Sequence, residues 1–347
     1  MQSKTMQSEK IVIIGGGVGG LAAANTLIDG GHSPVIIEAG HYPAYKVCGE
    51  FVSPEALPVL ANWGIKPTRS ISSIEFINKK DSRFSLKIEK NGGALSRTDL
   101  EDALRKRVLD HNITLYEGVR VIDIKKINTH YQLTLSNDKT IIAEKILVSA
   151  GRFFTKTGKK PESKYVGYKA HFTGKQIDTL KMHMHPGGYF GFLPLEDGKI
   201  NATLLQVKGQ DHLFEEMKKH MKDLSIWEPG WIKVEAPDFG FKKIPVEKNI
   251  YYLGDACAAI PPITGLGVTL ALLSGVVAGK TCLELNSEDY KKLWLKNFKR
   301  PIKAGLFIHK LSLYSVTLPL FFVLNRLNNS LTQFFFRRTR VSQLYLS

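Results

Sequence analysis

Short apolar runs alternate with longer amphipathic stretches along the first 40 residues. Ile11-Val12-Ile13-Ile14 is β-branched and reads as a buried strand, Leu21 to Leu27 is alanine-rich and helical, and Val35-Ile36-Ile37 reads as a second buried strand after the break at Asp29-Gly30-Gly31. The pattern predicts strand, tight turn, helix, strand. A second such stretch lies between Asn91 and Gly151, with a helix capped by Thr98 or Asp99 and running to Leu109. Strands follow near Ile113–Tyr116, Val119–Ile127, Tyr131–Leu135 and Ile146–Ser149. Ile74 to Lys90 and Tyr165 to Lys233 behave differently. They alternate apolar and polar residues, as in Lys199-Ile200-Asn201-Ala202-Thr203-Leu204, which suits antiparallel sheet with one exposed face. Farther on, Tyr251-Tyr252-Leu253 reads as a strand and Val268 to Gly279 as a helix of small and apolar residues.

These elements predict an α/β fold in which two domains interleave. A Rossmann-type domain takes 8–73, 91–160 and 243–290, a sheet-based domain takes 74–90 and 161–242, and a helical segment fills 291–347. The length of 347 residues suits two domains of roughly 100–200 residues each. With 43% hydrophobic and 23% charged residues, disordered and fibrous classes are excluded. Three scattered cysteines, Cys48, Cys257 and Cys282, argue against a disulfide framework and against paired CxxC zinc sites. Met1 to Lys10 is polar and the apolar run after it is short, so neither a secretory signal nor a transit peptide is expected.

The formal net charge of +16 is unevenly placed. After Asp289 there is no acid, while Lys291, Lys292, Lys296, Lys299, Arg300, Lys303, Lys310, Arg326, Arg337, Arg338 and Arg340 are cationic; without them the charge falls to +5. Leu311 to Asn325 carries no charge, but Pro319, Ser312, Ser315 and Thr317 dilute it, and a spanning helix needs about 20 apolar residues. Two readings of the tail stay open. Its helices pack across both domains and line a substrate mouth, or they lie on an anionic bilayer surface, as Phe334-Phe335-Phe336-Arg337-Arg338 suggests. No reader motif points to nucleic acid. The expected location is cytoplasmic, with peripheral membrane contact through the tail as an option.

Gly15-Gly16-Gly17-Val18-Gly19-Gly20 satisfies G-x-G-x-x-G between a strand and a helix, and Glu38 closes the next strand. Gly15 permits the tight turn, Gly17 lets a pyrophosphate approach the backbone, and Gly20 lets helix and strand pack. The helix N-terminus offers N–H groups to phosphate. Glu38 would accept hydrogen bonds from the adenosine ribose and repel a 2′-phosphate. A second glycine loop, Thr264-Gly265-Leu266-Gly267, follows Gly254-Asp255 some 240 residues later. That distance suits FAD rather than NAD. Asp255 can hold ribityl hydroxyls, and the Gly265 and Gly267 backbone can approach phosphate or flavin.

With these residues in view, the chain resembles the FAD-dependent oxidoreductases of the para-hydroxybenzoate hydroxylase-like superfamily, and most closely their geranylgeranyl reductase-like branch. The resemblance covers roughly residues 8–285. Besides the two glycine loops it rests on Lys46-Val47-Cys48-Gly49-Glu50, which is similar to the K-x-C-G motif placed beside the isoalloxazine. Pro186-Gly187-Gly188-Tyr189-Phe190-Gly191-Phe192-Leu193-Pro194 is similar to the substrate motif P-x-x-Y-x-W-x-F-P, with Gly191 for the Trp and Leu193 for the Phe. Arg97 matches an Arg that the superfamily places near the cofactor. Where the superfamily has an Asp-Gly, this chain has Ser149-Ala150-Gly151-Arg152.

The resemblance implies FAD held by Gly15, Gly17, Gly20, Glu38, Lys46, Arg97, Gly254, Asp255, Gly265 and Gly267. It implies Cys48 and Tyr189 as catalytic candidates, and substrate contact through Tyr189, Phe192 and Pro194. A cation near Cys48 would favour its thiolate. Glu50 is an acid candidate or a helix-start anion. Tyr168, Phe172, Phe190 and Met184 are read with Tyr189 and Phe192 as an apolar cavity cluster. His183 and His185 share a strand face but lack a third ligand, so exposed or polar-lined histidines are expected and no metal. The expected reaction is reduction of a carbon–carbon double bond in an isoprenoid- or polyketide-like substrate through flavin N5. The alternatives are a flavin monooxygenase and a non-catalytic flavin-bound lipid-binding protein. Electrons would come from NAD(P)H or a redox protein.

Overall fold

The computed structural model describes residues 7–151, 162–174, 177–227, 229–236, 238–315, 317–327, 330–341 and 344–345. Arg152, the expected domain junction at 160/161 and the Arg326 side chain lie outside them.

Gln7–Ile14 pairs in parallel with Val35–Ile37 and with Thr140–Val148, Ile13 lying opposite both Ile36 and Leu147. This seven-stranded sheet runs in the order Leu115–Tyr116, Val35–Ile37, Gln7–Ile14, Thr140–Val148, His130–Leu135, Val121–Ile127, with Ile250–Tyr252 joining Thr140–Val148. Its central strands are buried on both faces, which is why they read as unbroken apolar runs. The helices are α1 (Val18–Asp29), α2 (Leu57–Asn62), α3 (Arg97–Asp110), α4 (His212–Lys219), α5 (Gly267–Thr281), α6 (Ser287–Leu313), α7 (Thr317–Leu327) and α8 (Ser330–Arg338). The cap of α3 is Ser96, whose hydroxyl accepts from Asp99 N at 3.1 Å, not Thr98 or Asp99.

A nine-stranded sheet forms the second layer system, in the order Ser225–Ile226, Tyr165–Thr173, Ile200–Val207, Gly188–Pro194, Leu180–His185, Arg69–Asn78, Arg83–Ala94, Phe51–Val52, with Ile232–Ala236 on Tyr165–Thr173. Its hairpin spans Arg69–Ala94, wider at both ends than 74–90. One face packs α4 through Phe190, Phe192, Leu213 and Met217. The other face receives the tail. Phe84 stacks on Phe76 at 5.0 Å and meets Phe322 of α7 edge-on at 5.2 Å. Arg337 pairs with Glu89, and the Asn297 amide both donates to Tyr345 O (2.9 Å) and accepts from Tyr345 N (2.7 Å).

The two glycine loops meet because α1 and α5 pack at backbone distance. A Cβ on Gly275 would overlap the Gly19 carbonyl oxygen, and one on Gly279 would lie 2.7 Å from Thr26 Cβ. Backbone cannot yield as a long side chain can, so Gly275→Ala is expected to cost about 1–3 kcal/mol. Thermal unfolding of the variant measures this; an unchanged midpoint would show that the helices separate freely.

Candidate functional site

The first loop is shaped by its own hydrogen bonds. Gly15 turns with φ +101°, open to glycine, and its N–H donates to Ile37 O at 2.8 Å. A Cβ on Gly20 would overlap the Gly15 carbonyl, so Gly20 serves packing, whereas one on Gly17 would stand free, 3.7 Å from Glu101 Oε1 and 3.9 Å from Arg97 and Lys46. That space lies at the N-terminus of α1, where phosphate is favoured. Glu38 accepts from Gly16 N (2.6 Å) and Gly40 N (2.8 Å), and Tyr42 donates to Gly16 O, so both hold the loop in shape. A carboxylate has about four acceptor positions, so Glu38 still has capacity for ribose hydroxyls. Tyr42 was not foreseen; it sits beyond the motif and nothing in its spacing marks it.

The second loop faces the first. Gly265 adopts the left-handed φ of +60° with its α-carbon against Phe51, Gly254 N donates to Ser274 Oγ at 2.9 Å, and Gly267 opens α5 with nothing within 4 Å of a would-be Cβ. Asp255 lines the same cavity. Arg340, just past α8, donates to Thr264 O and lies 4.3 Å over the Phe336 ring, so the tail braces this loop.

Between the loops runs Lys46-Val47-Cys48-Gly49-Glu50. Lys46 Nζ bonds both Glu101 oxygens (3.0 and 3.1 Å), and Arg97 meets Glu101 from the other side (2.7 Å). Burial disfavours the Arg97 charge, but Glu101 and the Cys48 sulfur outweigh it and hold the guanidinium charged. Two cations against one buried carboxylate leave surplus positive charge facing Gly17, as a pyrophosphate requires. Cys48 touches Arg97, lies in the cavity wall, and its carbonyl accepts from Asn201 Nδ2 at 3.0 Å. The other cysteines are buried elsewhere, and burial pushes Cys282 up to about 11.

Glu50 is not a free acid. It is 1% exposed, bonded to Lys169, to His171 (2.7 Å) and to Arg97 N (2.7 Å). Burial alone would raise its carboxyl; His171, Lys169 and the Arg97 N–H outweigh that and hold it below the usual carboxylate range. Glu50 therefore joins the cysteine loop to the second sheet.

One cavity of about 1730 Å³ runs from the glycine loops past Cys48 into an apolar arm between the second sheet and the tail. Ligand pockets usually hold about 300–1,000 Å³, so a dinucleotide leaves room for a second molecule. The arm is walled by Phe76, Met182, Tyr189 and Leu193 from the sheet and by Leu318 and Phe336 from the tail. Tyr189 also accepts from Ile263 N at 3.0 Å, and burial keeps its phenol neutral.

The expected substrate contacts need correction. Successive strand residues point to opposite faces, so Tyr189, Gly191 and Leu193 line the cavity, while Phe190, Phe192 and Pro194 do not. Phe192, with Tyr168 and Phe172, packs in the core under α4. Met184 does face the cavity. His183 and His185 are not exposed: both are buried against the Phe190 ring, at 4.6 and 5.2 Å, with His220 4.5 Å from His183, and burial pushes them down to about 3 and about 4.

No family model matches the chain. It is 21% identical over 351 residues to a menaquinone reductase of Mycolicibacterium smegmatis, covering 90% of this chain and 85% of the relative. It is 26% identical to a digeranylgeranylglycerophospholipid reductase 2 of Methanosphaera stadtmanae, covering 84% and 82%. The fold matches a flavin-dependent brominase (TM-score 0.79, 15% identity, 98% and 96% covered) and a geranylgeranyl bacteriochlorophyll reductase-like protein from Thermoplasma acidophilum (TM-score 0.77, 16% identity, 97% and 94% covered).

The chain is an FAD-dependent oxidoreductase. The residues fit that cofactor. The two glycine loops flank the basic pair, and Gly17 and Gly267 leave the space a ligand needs.

Two outcomes follow from this geometry. Gly17→Val places methyl groups in the phosphate space without touching the fold, so flavin affinity is expected to fall at least about tenfold while apoprotein melting is unchanged. Fluorescence titration with FAD reads the first and calorimetry the second. Glu50→Gln leaves Lys169 buried without its counter-charge, costing about 3–5 kcal/mol near neutral pH. A lowered carboxyl stabilises the fold above its unfolded value of 4.5 and loses that as pH falls through the folded value. The gap between parent and variant therefore narrows in acid, which urea unfolding across pH detects.

Proposed function

We propose that this FAD enzyme reduces a carbon–carbon double bond in an isoprenoid- or polyketide-like substrate bound in the apolar arm. The observation that carries the reading is continuity: the cysteine loop stands where the glycine-lined end of the cavity passes into the apolar end. The names of the two relatives, a menaquinone reductase and a digeranylgeranylglycerophospholipid reductase, support a reduced lipid-like substrate.

FAD held by the two glycine loops and the Lys46–Arg97 pair would supply hydride chemistry at the cavity. The chain's residues do the rest. Tyr189, Leu193 and Phe76 exclude water from the arm and hold the chain of the substrate. Cys48 Sγ would deliver a proton to one alkene carbon when hydride is supplied to the other, and would regain it from solvent. Arg97 is in contact with that sulfur and orients it toward the cavity. Electrons arrive from outside, from NAD(P)H or a redox protein.

A single turnover tests this. Enzyme reduced under argon is mixed with geranylgeraniol in detergent, and flavin reoxidation and product mass are followed. The expected product has gained two hydrogens without oxygen, and Cys48→Ala slows reoxidation about 100-fold with flavin content unchanged. Reoxidation that needs oxygen and yields an oxygenated product would assign the site to monooxygenation instead.

A further inference from the structure

The tail leaves an apolar face that no part of the described chain covers. Helix α7 buries Leu318 and Phe322 against the sheet, yet its outer side carries Leu320 (58% exposed), Val323 (57%) and Leu324 (42%). A helix facing water should be polar there. On α6, Phe307 is 53% exposed between the exposed Lys303 and Lys310, and spacings of four and three put all three on one face. On α8, Phe334 is half exposed, and Arg338 lies 4.9 Å over its ring. Ring contacts from Phe307 to Phe335 (6.1 Å) and from Phe335 to Phe334 (5.7 Å) join α6 to α8 in one patch.

A second observation gives this patch direction. Phe307, Leu320 and Leu324 are exposed outside and also line the cavity. The mouth of the apolar arm therefore opens through the patch. Among the described residues no single helix is long and apolar enough to cross a membrane, while α6 and α7 together are long and apolar enough only as a bent pair.

We propose that the outer face of α6, α7 and α8 docks on an anionic lipid bilayer, with the cavity mouth turned into the hydrocarbon so that substrate passes directly from membrane to flavin. Charge complementarity selects the occupant. Lys303, Lys310 and Arg338 ring the apolar patch, no acid follows Asp289, and anionic headgroups match that rim while acyl chains match its centre. The proposal rests on the reading of the arm as a site for an apolar substrate, but its test needs no turnover.

FAD-loaded full-length protein is sedimented with phosphatidylglycerol vesicles and with phosphatidylcholine vesicles, at low and high salt. Binding is expected to the anionic vesicles and to weaken several-fold with salt. The double variant Val323→Glu and Phe334→Glu changes exposed residues outside the cavity wall, so flavin content and melting stay as in the parent. Its vesicle partition is expected to fall at least about tenfold. Failure of the parent to bind either vesicle would overturn the proposal, as would equal binding by the variant. So would light scattering showing that the patch instead pairs two copies of the chain, with that dimer indifferent to vesicles. Any of these results leaves the geranylgeraniol turnover free to succeed or fail separately.

Discussion

The contact between α1 and α5 is the constraint on which the site depends. Two helix N-termini from opposite ends of the sequence point into one cavity because Gly19, Gly275 and Gly279 let their backbones touch. Side chains of ordinary size there would push the helices apart by the width of a methyl or more, and a ligand reaching from one loop to the other would lose one of its two anchors. The buried strands beneath the helices fix their direction, and the glycines fix their separation. Helix packing and cofactor recognition are thus one geometric fact.

A second constraint ties the halves together electrically. Glu50 belongs to the cysteine loop, Lys169 and His171 to the second sheet, and Arg97 to the start of α3. A buried ion group of this kind adds little net stability when complete and is costly when broken. Its value is positional. It holds Cys48 at the boundary between the polar and apolar ends of the cavity, where a sulfur on a free loop would wander.

Much of the frame was legible in the residues because its determinants are local. The strand, glycine turn and helix at Ile11 to Leu27 obey backbone rules that need no tertiary context, and Gly265 announces its turn in the same way. What stayed hidden depended on contacts far apart in sequence. Period-two alternation splits the 186–194 segment into two faces but does not say which one meets the cavity; α4, packing through Leu213 and Met217, decides it and takes Phe192 away. His183 and His185 look polar in sequence, yet the cross-strand Phe190 buries them. The Ser96 cap lies only two or three residues from Thr98 and Asp99, and only the hydrogen bond tells them apart. Arg340 reaches Thr264 across 76 positions, which no motif spacing could announce.

The division of labour between the faces of Gly188–Pro194 bears on how such an enzyme can diversify. Gly191 stands where the resembling motif has a tryptophan, and a Cβ there would crowd only the Met182 sulfur, 2.9 Å away on a side chain that can swing aside, with the Lys181 carbonyl at an ordinary 3.4 Å. Residues on the other face knit the core and tolerate little change. Selection can therefore widen or narrow the chamber at position 191 while the scaffold keeps its stability, so that substrate size drifts by single substitutions and the fold remains as it was.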